Sequence, residues 1–118
     1  MTRKIPKNLE ECLEQLEIAN KNNKELTHWL KLPDKEASGI VHFSSGMWMR
    51  NNWGLWDIKS PLNKYFNSIG ISHADDMSSI ISASFHRKMN GKPILLEQQV
   101  RIYQNYWKKK GYEDGIPK

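Results

Sequence analysis

The stretch from His42 to Trp56, HFSSGMWMRNNWGLW, constrains the fold of this chain more than any other. It sets three Trp, two Met, a Phe and a Leu around a polar trio, Arg50, Asn51 and Asn52. Laid out at about 3.6 residues per turn, its apolar residues fall on every side of a helix, and a helix that is apolar all round is a buried one. The pattern therefore predicts a buried central helix over about 36–54. Gly54 is its left-handed cap, and Ser44, Ser45 and Gly46 let neighbouring backbone come close. Inside such a helix Arg50, Asn51 and Asn52 need partners, since an unpartnered buried polar group costs about 1–3 kcal/mol and an unpaired charge more.

The rest of the chain is punctuated for helices too. Asn8 with Glu11 has capping-pair spacing, and Leu9, Cys12, Leu13 and Leu16 recur behind it at helical intervals. After Asn20, Asn22 and Asn23, the residues Leu26, Trp29 and Leu30 outline a second short helix that Pro33 stops, with a loop over Pro33 to Lys35. Ser60-Pro61 starts another, carrying Leu62, Tyr65, Phe66 and Ile69 and closed by Gly70. Ser72, three residues before Asp75, predicts the cap of a helix whose core side is Met77, Ile80, Ile81, Phe85 and Met89. His86 and Arg87 fall on its polar side before Asn90-Gly91 ends it. A last helix runs through Leu95, Leu96, Val100, Tyr103, Tyr106 and Trp107 to Lys108, Lys109 and Lys110, with Gly111 behind. With no alternating run, repeat or linker, the expectation is an all-α, compact single domain of five or six short helices over residues 8–111. A basic arm, 1–7, precedes it and a tail, 112–118, follows.

Composition narrows the function classes. A chain of 118 residues supports one modest core, and its five Trp argue against disorder because they can bury large areas. Cys12 stands alone, which excludes an intrachain disulfide framework and a Cys-based metal cluster. The opening MTRKIPKN lacks the apolar run of a signal peptide, and nowhere do about eighteen apolar residues follow one another, so a cytoplasmic protein with no membrane contact is expected. The net charge of +5 permits an anionic partner without requiring one. Arg3, Lys4 and Lys7, with Lys108 to Lys110, lack both helix-turn-helix spacing and interleaved aromatics, so nucleic acid is not the expected partner.

Several runs together carry a family resemblance. They are Gly46-Met47-Trp48, Arg50-Asn51-Asn52-Trp53-Gly54-Leu55-Trp56, Tyr65-Phe66, Gly70-Ile71 and His73 with Asp75-Asp76-Met77-Ser78. Ile80-Ile81, His86-Arg87, Asn90-Gly91 and Tyr106-Trp107 continue it, so that it spans Pro6 to Trp107. In these the chain resembles an uncharacterised family of small bacterial and phage proteins known only as a domain of unknown function. Ala74 stands where that family often has Pro, and Ser44-Ser45 where it has a Gly and a larger apolar residue; the polar set is unchanged. The resemblance implies domain limits and no activity.

The candidate site gathers Arg50, Asn51, Asn52, Trp53, Trp56, His73, Asp76, His86 and Arg87. Arg50 and Arg87 suit bidentate grip of a phosphate or carboxylate, Asn51 or Asn52 can read an amide or base edge, and Trp53 or Trp56 can wall an apolar ring. The bland alternative pairs Arg50 with Asp75 or Asp76 as a buried structural network. His73 or His86, oriented by Asp75 or Asp76, would serve as general base in a small phosphoester hydrolase, but no nucleophile motif or phosphate loop accompanies them. His73, Asp76 and His86 give only a weak metal signal, and no cofactor is indicated. The expected function is non-enzymatic binding of a small anionic, nucleotide-like ligand, as in sequestering or sensing a signalling nucleotide between phage and host. The alternative is a protein-interaction module of the inhibitor or immunity type, whose exposed aromatics also suit homo-oligomers.

Overall fold

The structure, a computed structural model, describes residues 5–117. The first four residues of the basic arm, with Arg3 and Lys4, and the terminal Lys118 lie outside that range. Seven helices and no strand occur among the described residues: α1 (Leu9–Ala19), α2 (Leu26–Leu30), α3 (Asp34–Ile40), α4 (Ser45–Asn52), α5 (Pro61–Ser68), α6 (Ala74–Met89) and α7 (Leu96–Lys109). None is long and apolar enough to cross a membrane. The all-α single domain expected from the sequence is what forms. Asn8 caps α1 as its spacing predicts, its side chain accepting from the Glu11 N–H at 2.9 Å.

The stretch 36–54 is not one buried helix. It is two, α3 and α4, separated by a turn over residues 41–44. The Val41 carbonyl accepts from the N–H groups of both Ser44 (3.1 Å) and Gly46 (2.8 Å), folding the chain back on itself. A side chain at position 46 would close this corner off: a Cβ there would stand 3.0 Å from the Val41 oxygen and 3.2 Å from Arg50 Nη1. The apolar residues thus divide between two directions. Met49 and Arg50 turn inward, while Phe43 (78% exposed), Ile40 (67%), Met47 and Trp48 face out. An apolar-all-round pattern here reflects a sharp corner with an inner and an outer side.

The buried centre is α6, on which α1, α3, α4 and α7 all pack. Its core side, Met77, Ile80, Ile81 and Phe85, joins Leu9, Cys12, Leu13, Leu62 and Phe66 in one cluster. Its other side is buried as well, because Ala74, Ser78, Ser82 and Ser84 are small enough to let neighbouring helices lie close. The hydroxyls are accommodated by pairing: Ser78 Oγ donates to the Asp75 carbonyl at 3.0 Å, and Ser84 Oγ accepts from Gln99 Nε2 at 3.1 Å.

Three local expectations are corrected. Pro33 to Lys35 is the start of α3, with Pro33 as the residue before its first turn. Ser60 precedes Pro61 at the head of α5, but its hydroxyl donates to the Trp53 carbonyl and does not cap. Ser72 is not the cap of α6 either. His73 is, accepting from the Asp75 N–H through Nδ1 at 3.1 Å, while Ser72 Oγ donates to the Pro117 carbonyl and draws the final segment onto the body.

Candidate functional site

Polar side chains collect at the two ends of α6. At its N-terminal end the Arg50 guanidinium, almost fully buried, donates to Ser78 Oγ (2.8 Å) and to the His42 carbonyl (2.9 Å), with Nε 3.4 Å from Asp75 Oδ1. Of the two acids the sequence offered as its partner, Asp75 is the one in contact. Asp76 turns away and accepts from Trp107 Nε1 at 2.8 Å. Burial pushes the Asp76 carboxyl above the usual carboxylate range, while the Trp107 bond and nearby His73 pull it back in part. The His73 ring stacks on Trp107, centroids 5.6 Å apart, and Trp56, 60% exposed, meets its edge at 6.0 Å.

At the C-terminal end stand His86 and Arg87. His86 does not lie on a solvated polar side: it is buried, with Trp29 edge-on at 4.9 Å. Its acid comes from another helix, since Asp34 Oδ1 of α3 lies 3.3 Å from His86 Nδ1. Arg87 Nη1 donates to Asp34 Oδ2 and Nε to the Pro93 carbonyl, each at 2.6 Å, and Lys92 Nζ stands 3.6 Å from Asp34 Oδ1. Both His86 nitrogens and Asp34 Oδ1 are buried with no well-formed hydrogen bond. The sequence does not single out Asp34, because Pro33 to Lys35 has the composition of a loop and nothing in its spacing points at α6.

The nine residues singled out from the sequence are therefore not one constellation. Arg50, His73, Asp76 and Trp56 gather at the start of α6. His86 and Arg87 lie at its far end, about 16 Å away at the helical rise of about 1.5 Å per residue. Asn51 and Asn52 are exposed, and Asn52 Nδ2 donates to the Trp48 carbonyl of its own helix at 2.8 Å. Trp53 is buried in the core with its ring 5.6 Å from Trp48, so it walls no open space. Of the two candidate general bases, His73 spends Nδ1 on capping and His86 is sealed from solvent. Among the described residues no three His, Cys, Asp or Glu side chains converge as metal ligands.

The open space is elsewhere. A cavity of about 440 Å³ lies between α1, α2, the α3–α4 corner and α6, with Leu26, Trp29, Leu32, Ile40, Met49 and Phe85 on its walls. Asn20, Asn23 and His28 also line it; among the described residues the single carboxylate is Glu25, and no Lys or Arg takes part. Trp29 is held in place by donating Nε1 to the Ala37 carbonyl at 2.8 Å and stacks on Phe85 at 5.9 Å. A second cavity of about 460 Å³, between α1, α5 and the start of α7, has no exposed apolar residue on its rim. The first was legible only in part. Leu26 and Trp29 mark a helix too short to bury its own apolar side, but what they face depends on the corner.

A family model described as a domain of unknown function (DUF6794) matches residues 5–89. The matched span includes α1 to α6 and stops before α7, so the Tyr106-Trp107 pair of the resemblance lies beyond it. No curated protein and no solved structure matches the chain.

Proposed function

The chain belongs to this family of unknown function, DUF6794, which brings no activity with it, and we propose from the chain's own geometry that it is a non-enzymatic interaction module. Its cavity between α1, α2, the α3–α4 corner and α6 receives an apolar side chain of a protein partner. The observation that carries this reading is the pairing of that cavity with the exposed apolar ridge beside it. Ile40 both lines the cavity and is exposed, and Phe43, Met47 and Trp48 follow it on the outer side of the corner. Large apolar side chains exposed in close succession along the chain beside a cavity mark a docking site more often than an ordinary solvated face.

An anionic, nucleotide-like ligand has weaker support. Arg50 and Arg87 are already engaged by Asp75 and Asp34, they lie at opposite ends of α6, and Asn52 points to solvent. An anion at either end would have to displace a carboxylate. The mostly apolar walls of the cavity suit a hydrocarbon or aromatic group with at most a few hydrogen bonds at its rim.

The test is a panel of two chemistries. Side-chain analogues (indole, p-cresol, isobutanol) and phosphates (nucleotides, cyclic dinucleotides, sugar phosphates) are titrated against the protein while the thermal midpoint and the Trp29 indole N–H resonance are followed. The analogues are expected to raise the midpoint and move that resonance, and Ser45→Trp at the cavity mouth to abolish both effects. A midpoint raised by phosphates and untouched by the analogues would replace this reading with the anionic-ligand one.

A further inference from the structure

We propose that the group entering the cavity is Phe43 of a second copy of this chain, in a two-fold contact where each copy gives its Phe43 and receives its partner's. This rests on the interaction reading above and names its partner. The first support is self-complementarity. A closed two-fold interface requires one patch to carry both the donor and the acceptor feature side by side. Here one corner supplies both, since Ile40, Val41, Ser45 and Met49 line the cavity while Phe43, between them in the chain, projects outward. The Phe43 ring is also pre-oriented, its edge-to-face partner being His42 at 4.7 Å. Trp29 and Phe85 on the cavity wall offer aromatic faces and edges to an incoming ring.

Charge is the second support. From Ala37 to Met49 the chain has no Asp, Glu, Lys or Arg, although these make up 26% of the whole. Two copies each carrying a net charge of +5 repel one another over most approaches, and like charges placed face to face weigh against a contact. This corner is where they can meet with the least charge to desolvate, Glu25 being the one charged residue on the cavity wall among the described residues.

Size sets the strength. An aromatic side chain can bury about 150–250 Å². Because Trp48 and Met47 are only 40% and 42% exposed, these two with Phe43 and Ile40, counted on both copies, fall short of the lower bound of about 1,200 Å² for stable interfaces. The dimer is accordingly a weak one, formed at micromolar concentrations or above.

Sedimentation of the full chain from micromolar to millimolar concentration decides the matter, at low and at high salt. Dimer formation is expected, tightening from low to high salt as the repulsion between two copies of net charge +5 is screened. Phe43→Ser removes the projecting ring from an exposed position, and Ser45→Trp fills the cavity mouth; each should weaken dimerisation at least tenfold. An equimolar mixture of the two variants retains one ring and one open cavity, so it should associate more tightly than either alone. A wild type that stays monomeric throughout, a dimer indifferent to Phe43→Ser, or a mixture no tighter than its components overturns the proposal. If wild type is monomeric while side-chain analogues still bind the cavity, only the identity of the partner is wrong. If neither dimer nor analogue binding is seen, the interaction reading falls with it.

Discussion

Arg50 is nearly devoid of solvent contact and meets a hydroxyl, a carbonyl and a carboxylate drawn from two other segments of the chain. That it needed such partners follows from the cost of burying a bare charge, and the sequence therefore exposed the requirement. It did not expose the choice of Asp75 over Asp76, which depends on how α6 is rotated against α4, an angle that no one-dimensional spacing records. Arg50→Ala should cost about 1–2 kcal/mol in urea unfolding, because it strands the His42 carbonyl and takes one of the two bonds of Ser78 Oγ, while the half-exposed Asp75 can turn to water. Asn51→Ala at the neighbouring exposed position should cost under about 0.5 kcal/mol. Asp76 gives a pH-dependent counterpart. Since its carboxyl is raised in the folded protein, the native state holds that proton more tightly than the unfolded chain. The associated stability is complete below the ordinary carboxyl range and is lost as pH rises through the raised value. Asp76→Asn, which keeps an acceptor for Trp107 Nε1, should raise the thermal midpoint at neutral pH and flatten its decline above the ordinary carboxyl range. An unchanged pH profile would mean that Asp76 is solvated.

At the scale of elements, hydropathy located the helices and misidentified the central one. The His42–Trp56 segment is rich in large apolar residues and yet turns half of them outward, whereas α6, interrupted by Ser and Ala, is buried on nearly all sides. The reason is steric: a helix is surrounded where its side chains are small enough to admit neighbours, a property that apolar content does not measure. Gly46→Ala tests the corner, since its methyl would crowd the Val41 oxygen and Arg50 Nη1; a loss of about 1–3 kcal/mol is expected. Asp34 is the other joint. It ties α3 to the end of α6 through Arg87 and His86, and Asn90 Nδ2 adds a bond to the Leu30 carbonyl at 3.1 Å. Asp34→Ala should cost about 2–3 kcal/mol and accelerate hydrogen exchange over residues 26–40 before it affects α1 or α5. Uniform acceleration across all helices would refute the idea that this joint acts locally.

For the molecule as a whole, the fold class and most helix limits were legible because Asn, Pro and Gly stop and start helices through local chemistry, whereas neither Ser60 nor Ser72 caps as its spacing suggests. The cavity was not, because its walls come from four separate elements meeting at a corner the sequence had read as straight. Cys12 offers a gauge of the assembled core. It is fully buried, and that burial pushes its thiol far above the ordinary range, so a thiol reagent should label it only at the rate of global unfolding and in step with loss of the Trp signal. Labelling of the folded protein within minutes would place α1 outside the cooperative unit. The final segment binds its neighbours in a comparable way. Gln104 is wedged between two glycines in left-handed conformation: a Cβ on Gly70 would strike its side-chain amide, and one on Gly115 would strike its backbone oxygen. In evolutionary terms the two positions are unequal. A shortened residue at 104 relieves the clash at 70 and leaves the one at 115, while the left-handed backbone at both still favours glycine, so a lineage that changes residue 104 loosens one lock on the returning chain and keeps the other.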